Sequence, residues 1–240
     1  MIVKNRLLNF KNKIIYQDDE SFLLSLDSLL LSNFVTLKFT DKKIIDLCTG
    51  NAPIPMLLSF RTKAVIEGVE IQKKIYDLGK NSVKENGMNN QISLFNDDIK
   101  NLLNKNNFCR YDVVVSNPPY FKYKKDSLVN YKESKMLARH EVMITLEDVV
   151  KIASYLLKNG GVFSLVHRPD RFMEIIFLMK KYNIEPKKVR FVYPKINKEA
   201  NLLLIEGNKN GKVGLKVLPP LIIYNDDNEY NVEVREMFGD

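Results

Sequence analysis

The segment Tyr111-Asp112-Val113-Val114-Val115-Ser116 constrains this chain more than any other. Its β-branched, apolar interior reads as a buried strand. The strand runs straight into Asn117-Pro118-Pro119-Tyr120. Pro118 drives Asn117 towards an extended backbone. Pro118 and Pro119 each fix φ and lack a backbone donor. A stiff platform therefore leaves the end of a buried strand, carrying a carboxamide, unprotected carbonyls and an aromatic face. Strand ends are where α/β proteins place ligands. The platform suits a planar group bearing an NH2. The amide oxygen and a carbonyl accept its two hydrogens, and Tyr120 stacks on its ring. The competing reading is an ordinary strand-to-loop turn, which the rest of the chain must argue against.

From residue 43 the pattern is strand, loop, helix, repeated. Strands are expected at Lys43–Leu47, Ala64–Val69, Ile92–Phe95, Asp112–Ser116, Val162–Val166, Val189–Tyr193 and Leu202–Glu206. Helices are expected from Pro55, over Gln72–Glu85 with Gly87 at its end, briefly over Ile99–Leu103, over Thr145–Leu157 before Asn159-Gly160-Gly161, and near 170–182. Such alternation implies an α/β, Rossmann-like, doubly wound and mostly parallel sheet of seven strands. The last two strands lack an intervening helix, so one is antiparallel near an edge. Residues 1–40 read as an N-terminal extension, with a strand at Ile14–Gln17 and a helix over Ser21–Leu37. Residues 41–240 read as the main domain, ending in a segment that contains Pro219-Pro220-Leu221.

At 240 residues and 45% hydrophobic composition, one sizeable core is possible. No apolar run reaches the ~18 residues that span a bilayer. The N-terminus lacks a secretory pattern, so a cytoplasmic protein is expected. Cys48 and Cys109 are far apart, and His140 and His167 form no zinc pair, so neither a disulfide nor a metal is expected. Charge is concentrated: residues 1–13, 120–140 and 180–198 carry +4, +4 and +6, leaving the remainder at −6 against a total of +8. That distribution suits a polyanionic partner, although any one cluster reads equally well as a solvated face.

Asp46-Leu47-Cys48-Thr49-Gly50-Asn51-Ala52-Pro53 follows the first strand of the main domain. A turn of small residues there lets a nucleotide-like cofactor approach the backbone. Neither a dinucleotide fingerprint nor a P-loop is present. Asp46 facing a cation makes sense for an ammonium or sulfonium ligand. Glu70 lies 24 residues further on, near the offset at which an acid grips ribose hydroxyls. Asp97-Asp98 ends the third strand, where a carboxylate can accept from an adenine amine. Each acid alone reads more simply as a cap. Three at successive strand ends, followed by Asn117-Pro118-Pro119-Tyr120, read as a site.

With these motifs assembled, the chain resembles the class I S-adenosylmethionine-dependent amino-methyltransferases. The segments Phe22 to Leu31, Ala138-Arg139-His140-Glu141, Val166-His167-Arg168-Pro169 with Arg171, and Pro219-Pro220-Leu221 narrow the resemblance to bacterial tRNA1(Val) adenine-37 N6-methyltransferases. The resemblance implies that S-adenosylmethionine contacts Asp46, Thr49, Gly50, Asn51, Glu70, Asp98 and Asn117. It implies that Asn117 and the Pro118 carbonyl hold the target amine, with Tyr120 and Phe121 on the base. The partner implied is tRNA-Val, with Lys122, Lys124, Lys125 and Arg139 expected to grip its phosphates; the sequence leaves the oligomeric state open, a monomer being the expectation. Ala52 departs from the family, which usually has glycine there; alanine fits comfortably only at negative φ. Two alternatives stay open: methylation of a release-factor glutamine, which presents the same NH2 chemistry, and a non-catalytic RNA-binding module on the same fold.

Overall fold

The computed structural model describes residues 2–7, 12–18, 25–120 and 144–238. Strands β1 (Ile2–Arg6) and β2 (Ile14–Asp18) pair antiparallel, with Ile2 opposite Asp18 and Arg6 opposite Ile14. Helix α1 (Leu26–Phe34) follows, its N-terminus capped by the Ser25 side chain, which accepts from the Ser28 amide. The main domain then runs β3 (Lys43–Leu47), α2 (Pro53–Ser59), β4 (Val65–Glu70), α3 (Lys73–Glu85), β5 (Ile92–Asn96) and β6 (Tyr111–Ser116). It continues through α4 (Leu146–Leu156), β7 (Leu157–His167), α5 (Phe172–Lys181), β8 (Ile184–Tyr193) and β9 (Leu202–Lys209). The tail adds β10 (Lys216–Val217), β11 (Leu221–Ile222) and α6 (Val232–Met237).

The main sheet has nine strands in the order β10-β8-β9-β7-β6-β3-β4-β5, with β11 also paired to β8. Strand β9 runs antiparallel to both β7 and β8, as the missing crossover helix requires. The seven expected strands are all present. The two extra ones are two-residue strands parallel to β8, too short to leave a period in the sequence. Strand β1 was also unforeseen, because Ile2–Arg6 alternates without an apolar face. Strand β7 starts at Leu157, ahead of Gly160-Gly161, so the glycines lie within the strand and do not end the helix; Gly160 takes φ +74° there. Helix α2 starts at Pro53, two residues earlier than expected, using proline where the missing N–H costs nothing.

Side-chain alternation along the central strands divides the core between the two sheet faces. Ile44, Val113, Val115 and Val166 pack with α1, α2 and α6. Ile45, Leu47, Val114 and Leu165 pack with α4 and α5. The strand order reverses between β3 and β6: the chain moves outward through β4 and β5, then returns to start β6 on the other side of β3. Such a reversal opens a crevice at the carboxyl ends of the strands.

Candidate active site

Strand register brings the expected site residues to one edge. Leu47 pairs with Val69 and with Ser116, and Glu70 pairs with Asn96. The turns after β3 and β6 and the acids at the ends of β4 and β5 therefore rise from the sheet at one level. They enclose a cavity of about 310 Å³ walled by Thr49, Gly50, Asn51, Glu70, Asp98, Asn117, Pro118, Pro119 and Tyr120.

The turn after β3 is tightly wound. Cys48, Gly50 and Ala52 take φ of +61°, +59° and +69°. Gly50 fits this conformation without strain, and a Cβ at that position would meet nothing within 4 Å. Ala52 carries the left-handed cost, since an L side chain there crowds its own carbonyl. Its methyl is fully buried in the core and is not part of the cavity wall. Alanine in place of the usual glycine thus strains the turn without filling the cavity. Helix α3 approaches the turn through Gly79, where a Cβ would come within 3.0 Å of the Asn51 carbonyl carbon.

Two carboxylates brace this turn. Glu70 Oε2 accepts from the Gly50 amide at 3.0 Å, and Oε1 accepts from the Gln72 amide at 2.8 Å. A carboxylate has about four acceptor positions, so each oxygen keeps a lone pair for a ligand hydroxyl. Burial raises the Glu70 carboxyl above its ordinary range, opposed by those amide bonds. Asp46 is fully buried behind the wall and is not exposed on it. Its Oδ2 accepts from the Thr49 hydroxyl at 2.6 Å, while Oδ1 has no hydrogen-bond partner among the described residues. Desolvation pushes its pKa up to about 8, with Glu70 adding to the effect. Asp98 caps the short 3-10 turn at Ile99–Leu102 by accepting from the Lys100 amide at 2.9 Å, and it also faces the cavity.

The platform after β6 is folded against α1. The Tyr120 hydroxyl lies 2.5 Å from Asn117 Oδ1 and 2.8 Å from Asp27 Oδ2. Asn117 Nδ2 donates to Ser28 Oγ at 3.4 Å. The Tyr120 ring packs on His167, with centroids 5.1 Å apart and planes tilted by 52°. His167 is buried, accepts the Arg168 amide on Nδ1, and is held neutral by desolvation, its pKa lowered to about 4.

Asn117, Pro118, Tyr120, Thr49, Gly50, Asn51, Glu70 and Asp98 thus share one cavity. Phe121, Lys122, Lys124, Lys125 and Arg139 lie outside the described residues. Ser25 caps α1, and Asp27 on its first turn faces the cavity. Ser28, Ile71, Gln72 and Ile99 were missed. Only Ser28 left a trace, as a polar residue directly after Asp27 and before the apolar run Leu29–Leu31. Asn51 reaches away from the cavity, donating from Nδ2 to the Tyr16 carbonyl at 2.9 Å.

The fold and the site define a class I methyltransferase. A predicted O-methyltransferase from Agrobacterium tumefaciens superposes with a TM-score of 0.71 at 20% identity, covering 89% of this chain and 95% of that one. A T. thermophilus 16S rRNA guanine methyltransferase crystallised with AdoMet and guanosine gives 0.60 at 18% identity over 87% and 50%. Residues 26–184 match the methyltransferase small domain family, and the chain belongs to it. A tRNA1(Val) (adenine(37)-N6)-methyltransferase of Bacteroides fragilis is 29% identical over 157 residues, 65% of either chain. Its counterpart in Christiangramia forsetii is 23% identical over 246 residues, spanning 99% of this chain and 98% of that one. The cofactor of this class is S-adenosylmethionine. The open space above Gly50 and the Glu70 and Asp98 carboxylates, which face the cavity as acceptors, fit it; Asp46, expected to contact the cofactor, is instead buried behind the wall, where it braces Thr49. Among the described residues no three His, Cys, Asp or Glu side chains are placed to hold a metal, and no helix is long and apolar enough to cross a membrane.

Proposed function

We propose that this chain methylates the exocyclic N6 amine of adenosine 37 in tRNA, using S-adenosylmethionine. One observation carries the reading: the Asn117 carboxamide opens into the same cavity as Glu70 and Asp98. A group that accepts amine hydrogens therefore stands beside groups suited to ribose and adenine. The activity for which these relatives are named supports the choice of substrate.

Bound S-adenosylmethionine supplies an electrophilic methyl on sulfonium. Glu70 would take the ribose hydroxyls on its free lone pairs, and Asp98 an adenine amine. Gly50 leaves the turn open to the ligand. The target N6 is a weak nucleophile because its lone pair is delocalised into the ring. Asn117 Oδ1 and the Pro118 carbonyl would accept its two hydrogens. As nitrogen becomes tetrahedral and more positive those bonds strengthen, so they lower the barrier more than they tighten binding. Orientation of the amine in line with the methyl supplies the remainder. The surplus amine proton passes to solvent after attack. The target base must be unstacked, which costs least in a loop. Phe121, Lys122, Lys124, Lys125 and Arg139 are assigned to the RNA on sequence grounds.

The test supplies labelled methyl donor with total tRNA, DNA or release factor to wild type and Asn117→Ala. Label should enter tRNA as N6-methyladenosine, and the variant should bind cofactor normally while losing more than about tenfold in turnover. Label on release factor or DNA in place of tRNA would reassign the substrate. Retained turnover in Asn117→Ala would remove the platform mechanism.

A further inference from the structure

The contact between Tyr120 and Asn117 conflicts with the role given to Asn117. A phenol has one hydrogen, and at 2.5 Å the Tyr120 hydroxyl stands on Oδ1, the atom that must accept from the target amine. The hydroxyl must give up that oxygen when a substrate enters. Tyr120 packs against the core and lies among cavity-lining residues, so a hydroxyl released without a partner there would be costly. The structure supplies the partner: Asp27 Oδ2, 2.8 Å away, on the first turn of α1. Desolvation, with help from Asp27, holds the Tyr120 hydroxyl well above its ordinary pKa, so it keeps its proton and remains a donor. Ser28, the next residue of the same turn, holds the other end of the carboxamide through Nδ2.

We propose that Asp27 is a positioning residue for methyl transfer: it receives the Tyr120 hydroxyl hydrogen and so frees Asn117 Oδ1 for the target amine. The inference rests on Asn117 being the amine acceptor. Helix α1 lies some ninety residues from the platform in sequence, and its first turn completes the site without touching the reacting atoms. The tyrosine proton stays on its oxygen throughout; only its acceptor changes, from the amide oxygen to the carboxylate. Without Asp27 the hydroxyl has Asn117 as its remaining acceptor and competes with the substrate.

A double-mutant cycle tests this through suppression. Wild type, Asp27→Ala, Tyr120→Phe and the double variant are assayed with tRNA and S-adenosylmethionine, together with melting temperature and cofactor affinity. Asp27→Ala should lower kcat by about tenfold or more, with cofactor affinity within about twofold of wild type. Removing the competing hydroxyl should then restore activity, so the double variant should exceed Asp27→Ala by about fivefold or more. A purely structural role for Asp27, or direct cofactor contact, gives additive or worse losses, and either outcome overturns the proposal. So does Asp27→Ala turning over at the wild-type rate. Failure of the underlying function is separate and visible: wild type itself then leaves tRNA unlabelled.

Discussion

At the scale of single residues, the site is built from groups whose charge is suppressed by burial. Asp46 is pushed up to about 8, Asp27 and Glu70 are raised, and His167 is lowered to about 4. These shifts have opposite consequences for stability. A raised carboxyl gains a proton more readily in the folded chain, so it favours the fold as pH falls. A lowered histidine does the reverse: its stability is complete above the ordinary value near 6.5 and is lost as pH falls towards 4. His167 is buried under Tyr120, so the proton can be taken up cheaply only in the unfolded chain. Because the acids oppose it, the net profile of wild type does not isolate the histidine; a comparison does. Between pH 7.5 and 5, wild type should lose about 2 kcal/mol relative to His167→Gln, whose side chain does not titrate. Urea unfolding at both pH values checks this. Parallel profiles would mean that His167 is protonated within the fold.

At the scale of elements, the turn after β3 joins three parts of the molecule. Glu70 from β4 accepts from Gly50, Gly79 lets α3 pack close to Asn51, and Asn51 donates to the Tyr16 carbonyl of β2. The hairpin β1–β2 is otherwise tied to α3 through Asn86 and Ser82, which bond the Ile14 and Tyr16 amides. Asn51→Ala should leave Tyr16 O without its donor and cost about 1 kcal/mol. Amide exchange should quicken in Ile15–Gln17 while the β6 and β7 amides stay protected. Equal exchange in both proteins would show that α3 alone holds the hairpin. These ties explain which parts of the fold were legible. The sheet was, because Val113–Val115 and Leu202–Ile205 are too apolar for any place but a covered strand. The meeting of Glu70, Asp98 and Asn117 at one cavity was, because strand ends in parallel register must meet; the burial of Asp46 behind the wall was not. The hairpin and the place of Asp27 were not. Their signals are single polar contacts between residues 35 to 93 positions apart, and such contacts impose no period on a sequence.

At the scale of the whole molecule, charge distribution governs encounter with a polyanion. The remainder of the chain is net negative, while 120–140 and 180–198 carry +4 and +6. Part of the second cluster is neutralised locally. Lys180, Lys188 and Arg190 pair with Glu185, Glu206 and Glu233. Lys188 also bonds the Phe34 carbonyl, so it braces the end of α1. The first cluster follows the Asn117 platform directly in sequence, which places its lysines within a few residues of the proposed target base. Phosphate contacts made there release counterions, and the salt dependence of binding counts them. Changing Lys122, Lys124 and Lys125 together to Glu should weaken tRNA binding by about tenfold or more near physiological salt and reduce the slope of log affinity against log salt by about two to three. Cofactor affinity should not move, since the groups proposed for the cofactor are contributed by β3, β4, β5 and the turns that follow them. Filter binding over a salt series reads both quantities. An unchanged slope would transfer the RNA footprint to 180–198, where Lys195 and Lys198 would be the next residues to reverse.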